Sequence, residues 1–291
     1  MKKEGEGNGL CWCKSGRRYE ECHASFDERI VEYMRRRCLT PPRRWIKNQQ
    51  QIQGIRESGK INIDVLDYIQ ERIREGITTQ QIDAWVYSRT VSRGALPAPL
   101  GFEGFPKSVC TSVNEEVCHG IPSEKKVLEE GDIINVDVST VYRGYYSDSS
   151  RMFCIGKVEP EKERLVRVAR ECMEIGVEQV QPWSFLGAMS SAVQEHALEN
   201  GYSVVREIGG HGVGLQFHED PWIGFTAEGG TGMLMAPGMV FTIEPMVNSG
   251  TDQVFIDEEN GWTVYTQDKK PSAQWEATVL VTEEGHEVLA Y

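Results

Sequence analysis

The 291-residue chain contains no apolar run approaching the ~20 residues needed to span a bilayer, and its opening MKKEGEGNG leads into no apolar segment of a secretory signal. These absences exclude an integral helical membrane protein and make the cytoplasm the expected location. The even cysteine spacing of a disulfide framework is also missing. Cys11, Cys13 and Cys22 crowd together, whereas Cys38, Cys110, Cys118, Cys154 and Cys172 are scattered. Without an export signal, reduced thiols or metal ligation are expected in place of bridges. Positive charge is scarce beyond the N-terminal arm. Residues 1–50 carry 12 Lys+Arg against 7 Asp+Glu, and the remaining 241 carry 19 against 37. Only the arm therefore suits a polyanionic partner.

What is present reads as α+β. Thr40-Pro41-Pro42-Arg43-Arg44 breaks the chain, because consecutive prolines exclude helix and favour an extended linker. Residues 45–93 read as helical, with Ile61, Val65, Leu66, Ile69 and Ile73 close to helical period and Thr78 placed to cap a second helix. Residues 94–122, rich in Gly and Pro, read as loop and short strand. Residues 132–155 alternate and are rich in β-branched and aromatic types, which predicts a hairpin turning near Tyr142 to Gly144. Two amphipathic helices over 160–180 and 184–200 precede a Gly-rich, β-prone remainder. Gly131-Asp-Ile-Ile-Asn-Val-Asp137 and Gly238-Met-Val-Phe-Thr-Ile-Glu244 both place a carboxylate six residues beyond a glycine. This weak echo points to two related halves, each contributing a carboxylate strand to a shared cleft.

Asp137 interrupts a strand otherwise suited to burial, and a buried lone carboxylate costs several kcal/mol unless it is paired or metal-bound. Asp148 lies on the returning strand. A turn centred on Tyr142-Arg143 places the two aspartates directly opposite; one at Arg143-Gly144 makes them diagonal neighbours. Either register leaves both on one face, where like charges repel and a cation is wanted between them, unless both are solvent-facing turn residues. His211 in Gly209-Gly-His-Gly-Val-Gly214 sits among glycines that allow tight turns or close approach to a ligand. His218, Glu244 and Glu276 are further ionisable groups in apolar or aromatic surroundings. Four carboxylates and one imidazole suit two divalent ions of the manganese, iron(II), cobalt or zinc kind better than a thiolate site.

From about residue 45 onward the chain resembles the type I methionine aminopeptidases of the pita-bread fold. The resemblance rests on Lys107-Ser-Val-Cys-Thr-Ser-Val-Asn-Glu-Glu-Val-Cys-His-Gly-Ile-Pro122, Asn135-Val-Asp-Val, Tyr146-Ser-Asp, Gly210-His-Gly-Val-Gly214, Phe241-Thr-Ile-Glu-Pro245 and Gln274-Trp-Glu-Ala-Thr278. It implies pseudo-two-fold halves of antiparallel sheet flanked by helices, in a catalytic domain over 41–291. It further implies removal of the initiator methionine from nascent chains and peptides, with a small second residue preferred, through a hydroxide shared by two metals. Asp148 and Glu276 would bridge the metals, Asp137 would complete one site, and His211 with Glu244 the other. His119 and His218 would contact the scissile peptide, and Glu244 would move the proton from water. Pro99, Phe102, Phe105, Cys110, Phe217, Met246 and Trp262 would wall the methionine pocket. An X-Pro aminopeptidase shares fold and ligands but usually has a large N-terminal domain, for which the short arm leaves no room.

Cys11-Trp-Cys13, eight further residues, then Cys22-His23 offers three sulfurs and an imidazole at a spacing compatible with tetrahedral zinc. The segment resembles the SEC-C zinc motif and defines an extension and linker over residues 1–40. With Arg35-Arg-Arg37 and Arg43-Arg44 beside it, the expected partner is the ribosome near emerging chains. No membrane is expected as a partner, and the protein is expected to be a monomer.

Overall fold

The computed structural model describes residues 9–291; the first eight residues of the extension lie outside it. The chain opens with helices α1 (Tyr19–Cys22), α2 (Ala24–Arg35), α3 (Gln49–Gln70) and α4 (Thr79–Ser92). Strands β1 (Leu96–Pro97), β2 (Cys110–Val113), β3 (Glu116–Cys118), β4 (Ile133–Tyr142) and β5 (Tyr145–Cys154) follow. Helices α5 (Pro160–Glu178) and α6 (Leu186–Glu199) come next. Ten further strands complete the order: β6 (Ser203–Val204), β7 (Gly210–Gly212), β8 (Glu219–Ile223), β9 (Val240–Ile243), β10 (Met246–Asn248), β11 (Val254–Ile256), β12 (Val264–Thr266), β13 (Ser272–Gln274), β14 (Ala277–Val281) and β15 (His286–Ala290).

Local chemistry sets the helix starts. Asn48 and Thr78 each accept from a backbone N–H three residues on, while Gln51 and Gln81 return the bond, so α3 and α4 both begin in capping boxes. Pro160 at the first turn of α5, with Glu161 and Glu163 beside it, suits an end where N–H groups lack partners. Among the described residues no helix is long and apolar enough to cross a membrane.

Two antiparallel sheets position the site. One has the order β1-β4-β2 with β5 paired to β4; the other runs β15-β14-β9-β7-β8. The echo seen in the sequence has a geometric counterpart. Gly131 and Gly238 have φ of 93° and 90°, and each stands two residues ahead of its carboxylate strand. Their N–H groups donate to Ile155 O and Val281 O respectively, closing the same turn in each half. The halves are stitched by an antiparallel bridge between Ser150 and Glu276. Helix α3 grips the hairpin from behind with buried polar groups: Ser58 Oγ donates to Thr140 O at 3.0 Å, and Ser149 Oγ to Asn62 Oδ1 at 2.8 Å.

Among the described residues, the N-terminal arm builds no core of its own and borrows that of the body. Phe26 belongs to the main hydrophobic core, and Trp12 and Ile30 pack against it. Tyr33 stacks on Trp183, and Leu39 bridges Met233 in parallel. Pro42 is extended, as its sequence requires, before a single 3-10 turn at Arg43–Trp45.

Candidate active site

Strands β4 and β5 form a two-residue hairpin in which Tyr142 faces Tyr145, with Arg143 and Gly144 at φ of 52° and 83°. Both central residues are left-handed, the arrangement whose twist matches flanking strands and for which glycine is best suited. This settles the register. Asp137 faces Ser150 and Asp148 faces Ser139, so the two aspartates are diagonal neighbours on one face. Glu276 arrives from the bridge to Ser150, and Glu244 follows the end of β9.

Hydrogen bonds aim these carboxylates. Ser139 Oγ donates to Asp148 Oδ1 at 2.7 Å; Thr242 Oγ1 donates to Glu244 Oε1 at 2.7 Å, and Gln274 Nε2 to Glu244 Oε2 at 2.9 Å. His211 on β7 has Nδ1 2.9 Å from its neighbour's carbonyl, Gly212 O. That carbonyl requires the proton on Nδ1, which leaves the Nε2 lone pair facing Asp148 Oδ2 and Glu244 Oε1, each 3.7 Å away. Burial, reinforced by the neighbouring His218, lowers the His211 pKa to about 3, so the ring is neutral and able to ligate.

The carboxylates are in conflict without a cation. Burial raises Asp137 to about 6, and burial with the Asp137 charge raises Glu244 to about 8. Burial and neighbouring carboxylate charges push Asp148 and Glu276 well above the usual range. Asp137 Oδ1 and Glu276 Oε2 are buried with no hydrogen-bond partner. No Lys or Arg lines the cavity among the described residues. Orphaned oxygens, mutual repulsion and a neutral imidazole fit divalent cations. Asp148, His211 and Glu276 already offer ligand atoms within 4.8 Å of one another. The fit is therefore met by the residues themselves.

The carboxylates open into a cavity of about 350 Å³. Pro99, Phe102, Phe105, Cys110, Phe217 and Trp262 line it, as do His119 and His218. Phe102 meets Phe217 at 4.9 Å, Phe105 meets Trp262 at 5.2 Å, and the Phe217 ring stacks on His218 at 4.2 Å. His119 has a φ of 56°, a sparsely populated conformation for a residue with a side chain, and burial lowers its pKa to about 4. Burial likewise lowers that of His218.

One expectation needs correction and another needs extending. Met246 does not line the cavity; its side chain is buried on β10 among Val117, Cys118, Val205 and Val264. The glycines around His211 serve strand packing as well as approach to the site: Gly209 and Gly210 line the cavity, and all three beside the histidine are also packed against neighbouring backbone. A Cβ on Gly209, Gly210 or Gly212 would come within 2.2 Å of Ile223 O, 2.6 Å of Thr242 O and 2.3 Å of Asp220 O respectively. Sequence reasoning also missed Ser139, Glu207, Ile208 and Trp222, which line the cavity, and the carboxylate partners Thr242 and Gln274. Ser139 and Thr242 each stand two residues from a carboxylate on the same strand face, a signal that alternation alone makes visible.

At the N-terminus, Cys11, Cys13, Cys22 and His23 bring their ligand atoms within 4.8 Å of one another. The Cys13–Cys22 sulfur separation is 3.7 Å, and His23 Nδ1 lies 3.1 Å and 3.2 Å from Cys11 and Cys22. A tetrahedron with ~2.3 Å metal–sulfur bonds has sulfur–sulfur edges of ~3.8 Å.

The fold and site together are those of a pita-bread metallohydrolase, with paired carboxylates from two half-domains converging on a histidine. The chain belongs to metallopeptidase family M24, whose profile matches residues 53–283, and within it to the methionine aminopeptidases. Methionine aminopeptidase A of Synechocystis is 46% identical over 243 residues, covering 83% of this chain and 95% of that protein. The methionine aminopeptidase of Chlamydia trachomatis is 38% identical over 285 residues, 97% of each chain, and so spans the N-terminal extension as well. The crystal structure of the Rickettsia prowazekii enzyme superposes with a TM-score of 0.83 at 41% identity, covering 84% of this chain and 99% of that one.

Proposed function

We infer that the chain hydrolyses the peptide bond following an N-terminal methionine, on nascent polypeptides and peptides. The observation that carries this reading is an aromatic-walled cavity that opens directly onto the carboxylate cluster. Aromatic rings suit a thioether, each such contact contributing roughly 0.3–1.5 kcal/mol.

Asp137, Asp148, His211, Glu244 and Glu276 would hold two divalent ions of the manganese, iron(II), cobalt or zinc kind, with Asp148 and Glu276 shared. When bound, these supply a water acidified to near-neutral pH and Lewis acidity toward the substrate carbonyl. The chain's own groups do the rest. The Asp137 side receives the free α-amine. Glu244 accepts the proton from the attacking water. His218, neutral at working pH, donates its ring N–H to the developing oxyanion. His119 orients the peptide nitrogen from its strained backbone position. Crowding beside the carboxylates favours a small second residue.

Hydrolysis of Met-Ala-Ser and Ala-Pro-Ser peptides by chelated and metal-restored protein tests the reading. Methionine should be released only after metal is restored. Cleavage of Ala-Pro-Ser alone would transfer the chain to X-Pro specificity.

Residues 1–40 are proposed as a zinc-binding extension of the SEC-C type with its linker, and 41–291 as the catalytic domain. Supporting zinc are the near-tetrahedral spacing and a segment too small to fold on its own apolar contacts. The joint change Cys11→Ser and Cys22→Ser should lower zinc content by about one ion per chain; an unchanged content rejects the site. A cytoplasmic monomer that docks on the ribosome through the arm fits the arm's positive charge. Deleting the arm would uncover Trp183 and its neighbours, so the cleaner variant replaces Arg35, Arg36 and Arg37 with Gln. Ribosome co-sedimentation should then fall at moderate salt, and unaltered co-sedimentation rejects the docking.

A further inference from the structure

Lys47 stands beside the Asn48 cap of α3, yet its side chain is only 1% exposed. Its Nζ lies 2.5 Å from Glu219 Oε2, and its backbone N–H donates to Gly238 O at 2.8 Å. The other oxygen of Glu219 is also engaged: Oε1 accepts from Leu215 N at 2.6 Å and Gln216 N at 2.9 Å. One carboxylate therefore closes the segment from Leu215 to Glu219 on itself, and Lys47 pins that closure to the start of α3. Between the closed ends lie Gln216, whose N–H also bonds the carboxylate, and the tip residues Phe217 and His218.

The preceding residue is fixed as well. Gly214 O accepts from Tyr146 N at 2.9 Å, and a Cβ on Gly214 would meet Ile55 at 2.4 Å and Lys47 Cε at 3.4 Å. The tip is thus delivered in one place: the Phe217 ring stacks on His218, and His218 meets the His211 ring at 4.1 Å. Neither Lys47 nor Glu219 lines the cavity. A buried ammonium and a largely buried carboxylate spent on a five-residue turn point to a demand for accuracy at the turn's tip.

We propose that Lys47 and Glu219 are a positioning pair that holds the His218 imidazole where it meets the substrate carbonyl. The proposal rests on the reading of His218 as the oxyanion donor. Neither residue of the pair touches substrate; both act through the turn. Asn48 Nδ2 also donates to Cys13 O at 2.8 Å, so the N-terminal cluster and the pair share one anchor at the head of α3.

The test is steady-state hydrolysis of Met-Ala-Ser by the full, metal-loaded chain carrying Lys47→Met, Glu219→Gln or Lys47→Arg, each made in wild type and in a His218→Ala background. In wild type, Lys47→Met and Glu219→Gln should lower kcat about tenfold or more with KM changed less than about twofold, and Lys47→Arg should recover part of the loss. In the His218→Ala background the same changes should alter kcat by less than about twofold, because the group they position is gone. Equal losses in both backgrounds, or losses that follow melting temperature alone, assign the pair a structural role and overturn the proposal. So does a wild-type kcat in both pair variants beside an impaired His218→Ala protein. A fully active His218→Ala protein removes the His218 reading and the proposal with it. If Lys47→Met fails to fold, Glu219→Gln, which keeps an acceptor for Leu215 and Gln216, decides alone.

Discussion

Replacing Glu276 with glutamine should lower kcat/KM for Met-Ala-Ser by about a thousandfold or more, and should at the same time raise the melting temperature of the metal-free protein. The loss follows from the role proposed for Glu276 as a shared ligand: transition-state stabilisation by bound cations is worth several kcal/mol, and each 1.36 kcal/mol is about tenfold in rate. The gain follows from the electrostatics of the carboxylate cluster in metal-free protein. Glu276 is 1% exposed, has one oxygen without a partner, and is surrounded by Asp148, Glu244 and Asp137. A group whose folded pKa is raised opposes folding at neutral pH, and a neutral amide removes that opposition. A gain of about 5 °C is the expected scale for relief of this kind in a chain of this size. Thermal scans of metal-free protein, paired with peptide kinetics after metal loading, read both effects. Activity near wild type would show that Glu276 is not a shared ligand, and a lower metal-free melting temperature that it is not a source of repulsion.

The second large effect concerns pH. Asp137 at about 6 and Glu244 at about 8 are raised above their unfolded values, so what they contribute is fully present only below those unfolded values and is lost as pH rises through about 6 and then 8. Metal-free protein should therefore melt at progressively lower temperature between about pH 6 and pH 8.5. The depressed histidines act at the other end. His119 at about 4 and His211 at about 3 favour the folded state above the ordinary histidine range, and that contribution is lost as pH falls toward those values. Divalent ions compete with the carboxylate protons, so affinity should rise about tenfold per pH unit for each proton displaced. Scanning calorimetry with and without manganese at pH 6, 7 and 8 should show a metal-induced increment that widens with pH. An increment that is flat across this range would mean that no carboxylate proton is released on loading.

How much of this was legible in the sequence depends on which force each feature obeys. The β4–β5 hairpin was readable because alternation and an Arg-Gly turn are local, and both candidate registers already placed Asp137 and Asp148 on one face. Choosing between them needed the two left-handed turn residues. The Gly131 and Gly238 echo was readable as spacing, though only the structure shows the same left-handed turn in both halves. His211 and Glu276 carried no local signal stronger than polarity amid apolar neighbours, and resemblance supplied their roles. Met246 shows the opposite failure. It lies two residues beyond Glu244, but beyond Pro245 the chain enters a different sheet and buries the side chain away from the cavity. Lys47 was counted with the positive arm, because nothing local distinguishes a solvated lysine from one whose carboxylate partner is 172 residues away. Long-range pairing is the information that a linear reading lacks.

The antiparallel bridge between Ser150 and Glu276 has a consequence for the life of the chain before it is finished. Asp137 and Asp148 come from one half, His211, Glu244 and Glu276 from the other, so neither half alone can assemble the proposed ligand set. A partly synthesised or half-folded chain therefore exposes scattered acids and no hydrolytic centre. With that proposed ligand set, peptidase activity would report on completed folding of both halves.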